Sequence, residues 1–401
     1  MILAHRIRLD PNNVQATFFD RCAGAARFAF NWGLARWQEA YKAGEKPSWQ
    51  TLNAELNARK AIEFPWMVEL PWAISNKALA DLGSAFSHFF RRVKQKVTKL
   101  GYPRFKSKKR STPSFCIEAR AIIFEGCKIK LPKLGWVRMR EALRFPGKVL
   151  SARFTKRAGH WYASLQVEVD ESRWFYPHRC ETQAAVGADR GVRDLAVLST
   201  GERIEAPRVL RKHETKLRRL NKELSRRTKG GRNREKTRAR LGRLHERLAN
   251  VRRDVTHNLT ASLVRRFRWI GIEDLNVRGI ARTRLAKSVM DAAMSELGQQ
   301  LTYKALLAGS TVVVADRFYP SSKTCSTCGV VYADLVLGER HWTCDACGAE
   351  HDRDLNAAKN LEALALAQRV TACCHGSSGA GHKTGVKLPL GQESSSAVNL
   401  G

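Results

Sequence analysis

The chain has 401 residues, which is enough to bury more than one hydrophobic core, so two or three domains are expected. Its 71 lysines and arginines against 37 acidic residues give a formal net charge of +34, an excess that indicates a polyanionic partner. The sequence contains no signal-peptide core, bilayer-length apolar run, amphipathic anchor or lipidation motif, so nucleic acid is favoured over a membrane. Six of the ten cysteines lack disulfide-framework spacing, which is typical of a reducing cytoplasm.

The N-terminal part is predicted to combine one strand with two long helices. Residues 2–9 alternate between apolar and polar types in the manner of a strand, which ends at Pro11. Apolar residues then recur at helical spacing between about 14 and 41, and again between about 75 and 97. The aromatic residues of these two helices are interpreted as core side chains rather than as base-stacking groups.

A basic segment, residues 91–110, overlaps the end of the second helix. It contains ten lysines and arginines and no acidic residue, with Tyr102 and Phe105 around a Gly101/Pro103 turn. Cationic side chains neutralise phosphates and aromatic rings stack on unpaired bases, so the pattern favours nucleic-acid contact over a solvated charged face. The predicted contacts are Arg91, Arg92, Lys94, Lys96, Lys99, Tyr102, Arg104, Phe105, Lys106, Lys108, Lys109 and Arg110.

The middle of the chain is predicted to change from strands to helices. Short apolar runs between about 115 and 169 indicate a small β-barrel, and the polar stretch 170–183 indicates a linker. Residues 207–255 show two leucine-rich arms at helical spacing around a 229–233 turn, which predicts a helical hairpin. Its 19 basic residues against five acidic ones would coat the outside as a surface for duplex phosphates. The C-terminal segment 371–401 is predicted to be a disordered tail.

Two apolar segments each end in a carboxylate in the same local setting, Val-Gly-Ala-Asp189 and Ile-Gly-Ile-Glu273. Because side chains alternate along a strand, Gly187 shares a face with Asp189, and Gly271 shares a face with Glu273. A glycine on that face leaves room for a backbone or a substrate to approach. The pattern therefore predicts two acidic positions with open space beside them.

Four cysteines form two C-x-x-C pairs, Cys325/Cys328 and Cys344/Cys347, with 15 residues between the pairs. This spacing allows two knuckles to close on one tetrahedral Zn²⁺, which thiolates bind well because they are soft ligands. Four unrelated core cysteines would rarely show this spacing. The sequence therefore predicts one structural Zn²⁺.

A third acidic position, Asp354, begins a predicted helix seven residues after the last of these cysteines. With Asp189 and Glu273 it could hold two Mg²⁺ ions, or Mn²⁺, because these cations prefer oxygen ligands. One ion would activate water and the other would stabilise the leaving 3′ oxygen of a phosphodiester. Each acid has a structural alternative: Asp354 could cap its helix, Asp189 could end a strand, and Glu273 could pair with a neighbouring arginine. Their combination in a basic chain with a zinc site favours the catalytic interpretation.

These segments together resemble the TnpB family, compact transposon-encoded nucleases related to type V CRISPR effectors. The similarity covers most of the chain and rests on the two carboxylate strands, the cysteine pairs and the Asp354-Leu-Asn-Ala-Ala motif. Three further segments match the family: Arg-Phe-Ala-Phe-Asn at 27–31, Gly-Tyr-Pro-Arg-Phe-Lys at 101–106 and Ser-Ser-Lys-Thr-Cys at 321–325.

The resemblance implies an α+β multidomain fold. A RuvC-like, ribonuclease-H-type nuclease domain would contain the helical hairpin and an inserted zinc ribbon. It would follow an N-terminal wedge β-barrel with an inserted helical recognition domain. The expected ranges are 1–10 and 105–180 for the wedge barrel, 11–104 for the recognition domain, 181–320 and 349–370 for the nuclease domain, and 321–348 for the ribbon.

The resemblance also implies an RNA-guided DNA endonuclease with Asp189, Glu273 and Asp354 as its catalytic acids. Such a protein would bind a transposon-derived guide RNA, recognise a short motif beside a double-stranded DNA target and cut both strands. A monomer with its RNA is expected, in a prokaryotic cytoplasm and at the nucleoid when bound to DNA. Two alternatives are a guided repressor, as in family members that have lost their acids, and an unguided transposition accessory nuclease. The intact acids favour cleavage.

Arg190 departs from the family pattern, which has an apolar or small residue after the first aspartate. A cation beside a Mg²⁺ ligand could weaken metal binding, but strand alternation predicts that Arg190 points away from Asp189 and has a modest effect. Asp352 and Asp274 are the acids most easily confused with the catalytic set. Asp354 is preferred because it matches the family's Asp-x-Asn-Ala-Ala pattern.

Overall fold

The computed structural model describes residues 1–97, 101–170, 185–336 and 338–374. Lys99, most of the predicted linker and the tail from residue 375 lie outside the described residues. The described chain forms two compact units. The first contains the described residues of Met1–His178, Pro207–Leu259 and Met290–Gly309, and the second those of Arg179–Ala206, Thr260–Val289 and Ser310–Gly401.

An antiparallel sheet of seven strands forms the centre of the first unit. Its strands are β1 (Ile2–Asp10), β2 (Ser114–Glu118), β3 (Ile123–Glu125), β4 (Lys128–Leu131), β5 (Gly135–Met139), β6 (Lys148–Arg157) and β7 (His160–Glu168). They lie in the order β2-β6-β7-β1-β5-β4-β3, so the N-terminal strand pairs with β7 on one side and β5 on the other. Ile7 and Leu9 of β1 are buried at alternating positions, as its sequence pattern requires. The strands predicted at 2–9 and between 115 and 169 are therefore confirmed.

Three helices pack with this sheet into one hydrophobic core: α1 (Asn13–Lys42), α2 (Trp49–Lys60) and α3 (Ala73–Lys94). Asn12 and Gln15 form a reciprocal capping box, which starts α1 directly after β1. Phe19 of α1 contacts Phe115 and Phe154 of the sheet, with ring centroids 5.7 and 5.8 Å apart. Both long helices predicted from periodicity are confirmed, and α3 ends at Lys94.

The predicted helical hairpin is also present, and its residues up to Leu259 belong to the first unit. It consists of α4 (Val209–Lys212), α5 (Glu214–Arg226) and α6 (Arg232–Arg266), so its second arm is longer than expected. Leucines hold the arms together in a buried cluster that includes Leu217, Leu220, Leu241, Leu244 and Leu248. No helix among the described residues is both long and apolar enough to cross a membrane.

The second unit contains a mixed sheet of five strands in the order β10-β9-β8-β11-β12. These strands are β8 (Ala185–Asp189), β9 (Asp194–Leu198), β10 (Arg203–Glu205), β11 (Trp269–Glu273) and β12 (Thr311–Ala315). The strands β8, β11 and β12 run parallel, whereas β9 and β10 are antiparallel additions. In the central pair, Gly187 lies beside Gly271 and Ala188 lies beside Ile272.

The described residues also form two 3-10 helices, Pro65–Met67 and Ala119–Ala121, four further α-helices and one short hairpin. The α-helices and the hairpin are α7 (Val277–Ile280), α8 (Ala286–Ala292), α9 (Met294–Ala308), the hairpin β13 (His341–Thr343) and β14 (Glu350–Asp352), and α10 (Arg353–Cys374). The helix α9 belongs to the first unit, and α10 packs on β8 and β11 in the second.

The two glycines of the carboxylate strands face the backbone of α10. A Cβ atom on Gly187 would lie 1.8 Å from the Ala358 carbonyl oxygen, and one on Gly271 would lie 2.1 Å from the Leu361 carbonyl oxygen. The glycines therefore leave room for a backbone, one of the two occupants that the sequence allowed. Because α10 lies this close to the strands, its first turn, which carries Asp354, is fixed relative to their ends.

We expect Gly187→Ala to destabilise the second unit by roughly 1–3 kcal/mol or more, because the new methyl group cannot fit without displacing α10. Hydrogen exchange measured by mass spectrometry should show faster exchange in β8, β11 and α10, with the strands of the first unit unchanged. The matched control is Gly242→Ala in α6, where a Cβ meets nothing within 4 Å. Equal protection of α10 in the two variants would contradict the close packing.

Candidate functional site

Asp189 and Glu273 lie side by side at one edge of the second sheet. Each is the last residue of its strand, and the preceding pair, Ala188 and Ile272, is in parallel register. Asp354 is the second residue of α10, the helix that crosses both strands. The structure thus brings together the three acids predicted from sequence, although 84 residues separate the first two and 81 the last two.

The electrostatics of Asp189 reflect this arrangement. Burial, which is the largest cause, and the nearby negative charges of Glu273 and Asp354 together raise its pKa to about 8. Arg190 and Arg353 act in the opposite direction but do not cancel the effect. A divalent cation would relieve this repulsion, and a donor set made only of carboxylate oxygens fits Mg²⁺ or Mn²⁺.

Arg190 contacts the acidic site directly. Its side chain is buried, and its guanidinium donates a hydrogen bond to the main-chain carbonyl of Glu273. Its charge lowers the pKa of Asp189. The arginine therefore links the ends of β8 and β11, a role that strand alternation alone did not predict.

Hydrogen bonds and ion pairs give the two neighbouring acids, Asp352 and Asp274, structural partners of their own. Asp352 accepts the Leu355 N–H at 2.9 Å and so caps α10, which makes the capping alternative for Asp354 wrong. Burial raises the pKa of Asp352, but the Leu355 hydrogen bond and the ion pair with Arg203, 2.7 Å away, lower it by more, so the net shift is downward. Asp274 has a partner of a similar kind, since its carboxylate lies 2.6 Å from the guanidinium of Arg317.

The carboxylates of Glu273 and Asp354 contact groups from the cysteine-bearing segment. The Ser321 hydroxyl donates to Glu273 Oε1 at 2.5 Å, and Ser321 itself is buried. Nη1 of Arg340 lies 2.9 and 3.0 Å from the two carboxylate oxygens of Asp354. Both acids are therefore oriented by side chains outside the sheet and α10.

The four cysteines form a compact cluster in which all Sγ atoms lie within 4.8 Å of one another. The Sγ atoms of Cys325 and Cys347 are 3.7 Å apart, and those of Cys328 and Cys344 are 3.6 Å apart. Tetrahedral Zn²⁺ with Zn–S bonds of about 2.3 Å would place its sulfurs roughly 3.8 Å apart, so the cluster fits this ion. Nε2 of His351 lies 3.0 Å from the Cys325 sulfur, where an N–H could support a thiolate ligand.

Two asparagines of α10 bind the segment that leads into the cysteine cluster. The Asn356 amide donates to the Thr324 carbonyl at 2.7 Å, and its oxygen accepts the Ser326 N–H at 2.9 Å. The Asn360 amide donates to the carbonyls of Ser321 and Thr324 at 2.8 and 2.7 Å. One helix thus connects the cysteine cluster, Ser321 and the acidic edge.

Sequence reasoning missed the roles of Arg190, Ser321, Arg340 and Asn360. For the asparagines a signal existed, because Asn356 and Asn360 are four residues apart in a predicted helix, which places them on the same face. For Arg190 and Arg340 there was none, because their partners come from distant parts of the chain.

Some side chains of the basic segment, residues 91–110, pack against aromatic rings of the protein, and others extend into solvent. Tyr102 packs edge-on against Phe86 and Phe89, with ring centroids 5.6 and 5.3 Å apart. Lys106 places its ammonium 3.6 Å above the Phe30 ring, and its burial lowers its pKa. Exposed cations suited to phosphate contact are Arg91, Lys94, Lys96, Arg104, Lys108, Lys109 and Arg110, and the ring of Phe105 is exposed as well.

Two motifs that are distant in sequence meet at Lys106. The side chain of Asn31 donates to the Lys106 carbonyl and accepts the Lys106 N–H, both at 2.8 Å. This contact joins the 27–31 segment of α1 to the 101–106 segment, 75 residues away along the chain.

Three family models match the chain. They are described as "Probable transposase" (residues 164–284), "Cas12f1-like, TNB domain" (295–361) and "Helix-turn-helix domain" (1–46). In the structure the last of these stretches consists of the strand β1 and the single helix α1.

A curated relative from Streptomyces pristinaespiralis, named "Putative RNA-guided DNA endonuclease", is 36% identical over 382 residues. The alignment covers 93% of this chain and 91% of the relative. The chain belongs to the TnpB family. A second TnpB relative, "Putative RNA-guided DNA endonuclease InsQ" of Escherichia coli (strain K12), is 32% identical. That alignment covers 92% of this chain and 93% of the relative.

One match among solved structures is "Cryo-EM structure of CasPhi-2 (Cas12j) bound to crRNA". This TnpB protein matches it with a TM-score of 0.45 and 12% identity, over 91% of this chain and 98% of that chain.

Proposed function

We propose that this TnpB-family protein is an RNA-guided, metal-dependent DNA endonuclease that cuts both strands of its target at a single carboxylate site. The observation that carries the proposal is the convergence of Asp189, Glu273 and Asp354 at one sheet edge. Two relatives aligned over more than nine-tenths of this chain carry the name RNA-guided DNA endonuclease, which supports the same activity here.

We further propose that the second unit is a RuvC-like nuclease domain of the ribonuclease-H type, interrupted by the zinc ribbon. Support comes from its five-stranded mixed sheet, in which the first and fourth strands along the chain lie side by side and end in the acids. The seven-stranded sheet would form the wedge barrel, and helices α1 to α3 the recognition domain. The domain ranges expected from sequence remain part of this proposal, with one difference: residues 207–259 and 290–309, which lie within the expected nuclease range, belong to the first compact unit.

In the proposed reaction the carboxylates of Asp189, Glu273 and Asp354 would hold Mg²⁺ or Mn²⁺. Such ions supply a nucleophilic water and charge stabilisation for the leaving oxygen. Arg190 would keep the Glu273 strand end in place through its main-chain contact. Ser321 would orient the Glu273 carboxylate through its hydroxyl. Cys325, Cys328, Cys344 and Cys347 would hold one structural Zn²⁺.

Guide RNA and duplex DNA would bind mainly through their phosphates. The net charge of +34 supplies the long-range attraction, and the exposed cations of the basic segment and of the hairpin supply contacts. In such a complex base pairing with the guide reads the target sequence, while the protein reads backbone shape and a short flanking motif. The protein would act as a monomer with its RNA, at the nucleoid of a prokaryotic cytoplasm.

The test is to purify the protein from a host that carries its native locus, sequence the bound RNA, and incubate the complex with a matching plasmid and Mg²⁺. We expect one specific RNA and cleavage that depends on the match between guide and target. Specific RNA and target binding without cleavage would instead indicate a guided repressor. Cleavage without any specific RNA would indicate an unguided accessory nuclease.

A further inference from the structure

The segment that follows β12 is attached to the acidic edge at two points, one on each side of Phe318. Before Phe318, the guanidinium of Arg317 lies 2.6 Å from the carboxylate of Asp274, the residue next to Glu273. After it, the Ser321 hydroxyl donates to Glu273 itself at 2.5 Å. Phe318 is therefore carried by a short bridge that begins and ends beside a proposed catalytic acid.

The bridge is also ordered internally. The Phe318 N–H donates to the Asp316 carboxylate at 2.9 Å, and the Tyr319 N–H donates to the Asp316 carbonyl at 3.0 Å. The Ser321 N–H donates to the Tyr319 carbonyl at 2.8 Å. These bonds form a compact turn in which the backbone of Phe318 has little freedom.

This ordered turn presents a bare aromatic ring to solvent. Phe318 is 87% exposed, while its neighbours Asp316 and Arg317 are exposed and charged. Tyr319 is half-buried, so Phe318 is the exposed ring of this turn, and one exposed ring does not form the broad apolar patch that a protein partner needs. It suits a ligand that offers one flat face and a charged backbone, which is the chemistry of an unpaired nucleotide.

We infer that Phe318 is a stacking platform for an unpaired base of the DNA strand whose phosphate lies at Asp189 and Glu273. This inference rests on the proposed nuclease function, because that function brings a strand to the acidic edge. A base that is paired within a duplex has both faces covered by its neighbours, so the platform would favour strands that are already separated. Stacking would then hold the nucleotide next to the scissile phosphate without selecting its sequence.

The first experiment compares Phe318→Ala with Phe318→Tyr in the guide-loaded complex. We expect Phe318→Ala to raise KM for a single-stranded DNA substrate roughly 5- to 100-fold, the range for loss of one base–aromatic stack, and Phe318→Tyr to retain wild-type behaviour. Substrates with one abasic site, moved stepwise around the scissile phosphate, identify the stacked base. At that position wild type should fall to the level of Phe318→Ala, and the substitution should have no further effect.

The second experiment does not need cleavage. Single-stranded DNA that carries 2-aminopurine at the same positions should lose fluorescence on binding, because stacking quenches this base. Quenching at one position should disappear in Phe318→Ala, persist in Phe318→Tyr and persist in Asp189→Asn. This separates the two hypotheses, since a wild-type protein that quenches but never cuts would refute the nuclease and retain the platform. Unchanged KM and unchanged quenching in Phe318→Ala would overturn the platform.

Discussion

Asp189→Asn is expected to abolish cleavage, by on the order of three to four powers of ten, while guide-RNA and target binding remain at wild-type strength. The substitution preserves the shape of the side chain and removes the charge that a divalent cation needs, whereas the proposed phosphate contacts lie elsewhere. Plasmid cleavage and filter binding with the same complex measure the two effects. The matched control is Asp194→Asn on the neighbouring strand β9, an acid that pairs with Arg203 and should be dispensable for cutting.

Loss of target binding together with cleavage would contradict this expectation, because it would make Asp189 a structural residue. Asp189→Asn that still cuts would remove Asp189 from the catalytic set altogether.

The raised pKa of Asp189 also predicts that the stability of the wild-type protein depends on pH, and that Asp189→Asn lacks this dependence. The pKa of Asp189 is about 8 in the folded protein, above its ordinary value of 3.8. Between these two pH values the folded protein holds a proton that the unfolded chain has lost. In the presence of a chelator, stability should therefore fall as pH rises from about 4 to about 8, and Asp189→Asn should remove this fall. Mg²⁺ should stabilise the wild type more strongly as pH rises through the same window. Thermal unfolding with and without the chelator measures both effects.

Local patterns allowed much of the fold and the site to be predicted. The period-two alternation in β8 and β11 predicted both strands and the shared face of each glycine and carboxylate. The spacing of the cysteines predicted their cluster, because four ligands on two knuckles have few other uses. These features depend on residues close together in the chain, and a sequence displays them directly.

What could not be predicted depends on partners far apart in the chain. Alternation predicted that a backbone or a substrate approaches Gly187, but only the structure identifies that backbone as α10. Alternation also predicted that Arg190 points away from Asp189, but it could not predict that the long side chain donates a hydrogen bond to the Glu273 carbonyl. Likewise, Asn31 and Lys106 form two hydrogen bonds across 75 residues that no local pattern connects.

The second large effect concerns the zinc ribbon, which we expect to control cleavage through α10. Cys344→Ser should lower bound zinc and reduce cleavage by roughly 10- to 100-fold or more. The reason is that the ribbon carries Arg340, which contacts Asp354, and that α10 binds the segment leading into the ribbon. Zinc content by mass spectrometry and cleavage rates are the measurements. Cys127→Ser, at an exposed cysteine in the first unit, is the matched control and should change neither.

A second variant tests the connection itself rather than the metal. Asn360→Ala removes the Asn360 hydrogen bonds to the carbonyls of Ser321 and Thr324. The Thr324 carbonyl keeps the Asn356 amide as a donor, so the Ser321 carbonyl loses its α10 partner at a cost of roughly 1–3 kcal/mol. If α10 connects the ribbon to the acids, this variant should keep its zinc, cleave more slowly at the Mg²⁺ concentration that suffices for the wild type, and require more Mg²⁺ for its half-maximal rate. Ser321 orients the Glu273 carboxylate through its hydroxyl. Displacement of Ser321 should therefore weaken binding of the divalent cation, although no carboxylate has been substituted. Full cleavage at wild-type Mg²⁺ concentrations in Asn360→Ala, or in a zinc-depleted Cys344→Ser, would mean that the ribbon folds independently of the acidic edge.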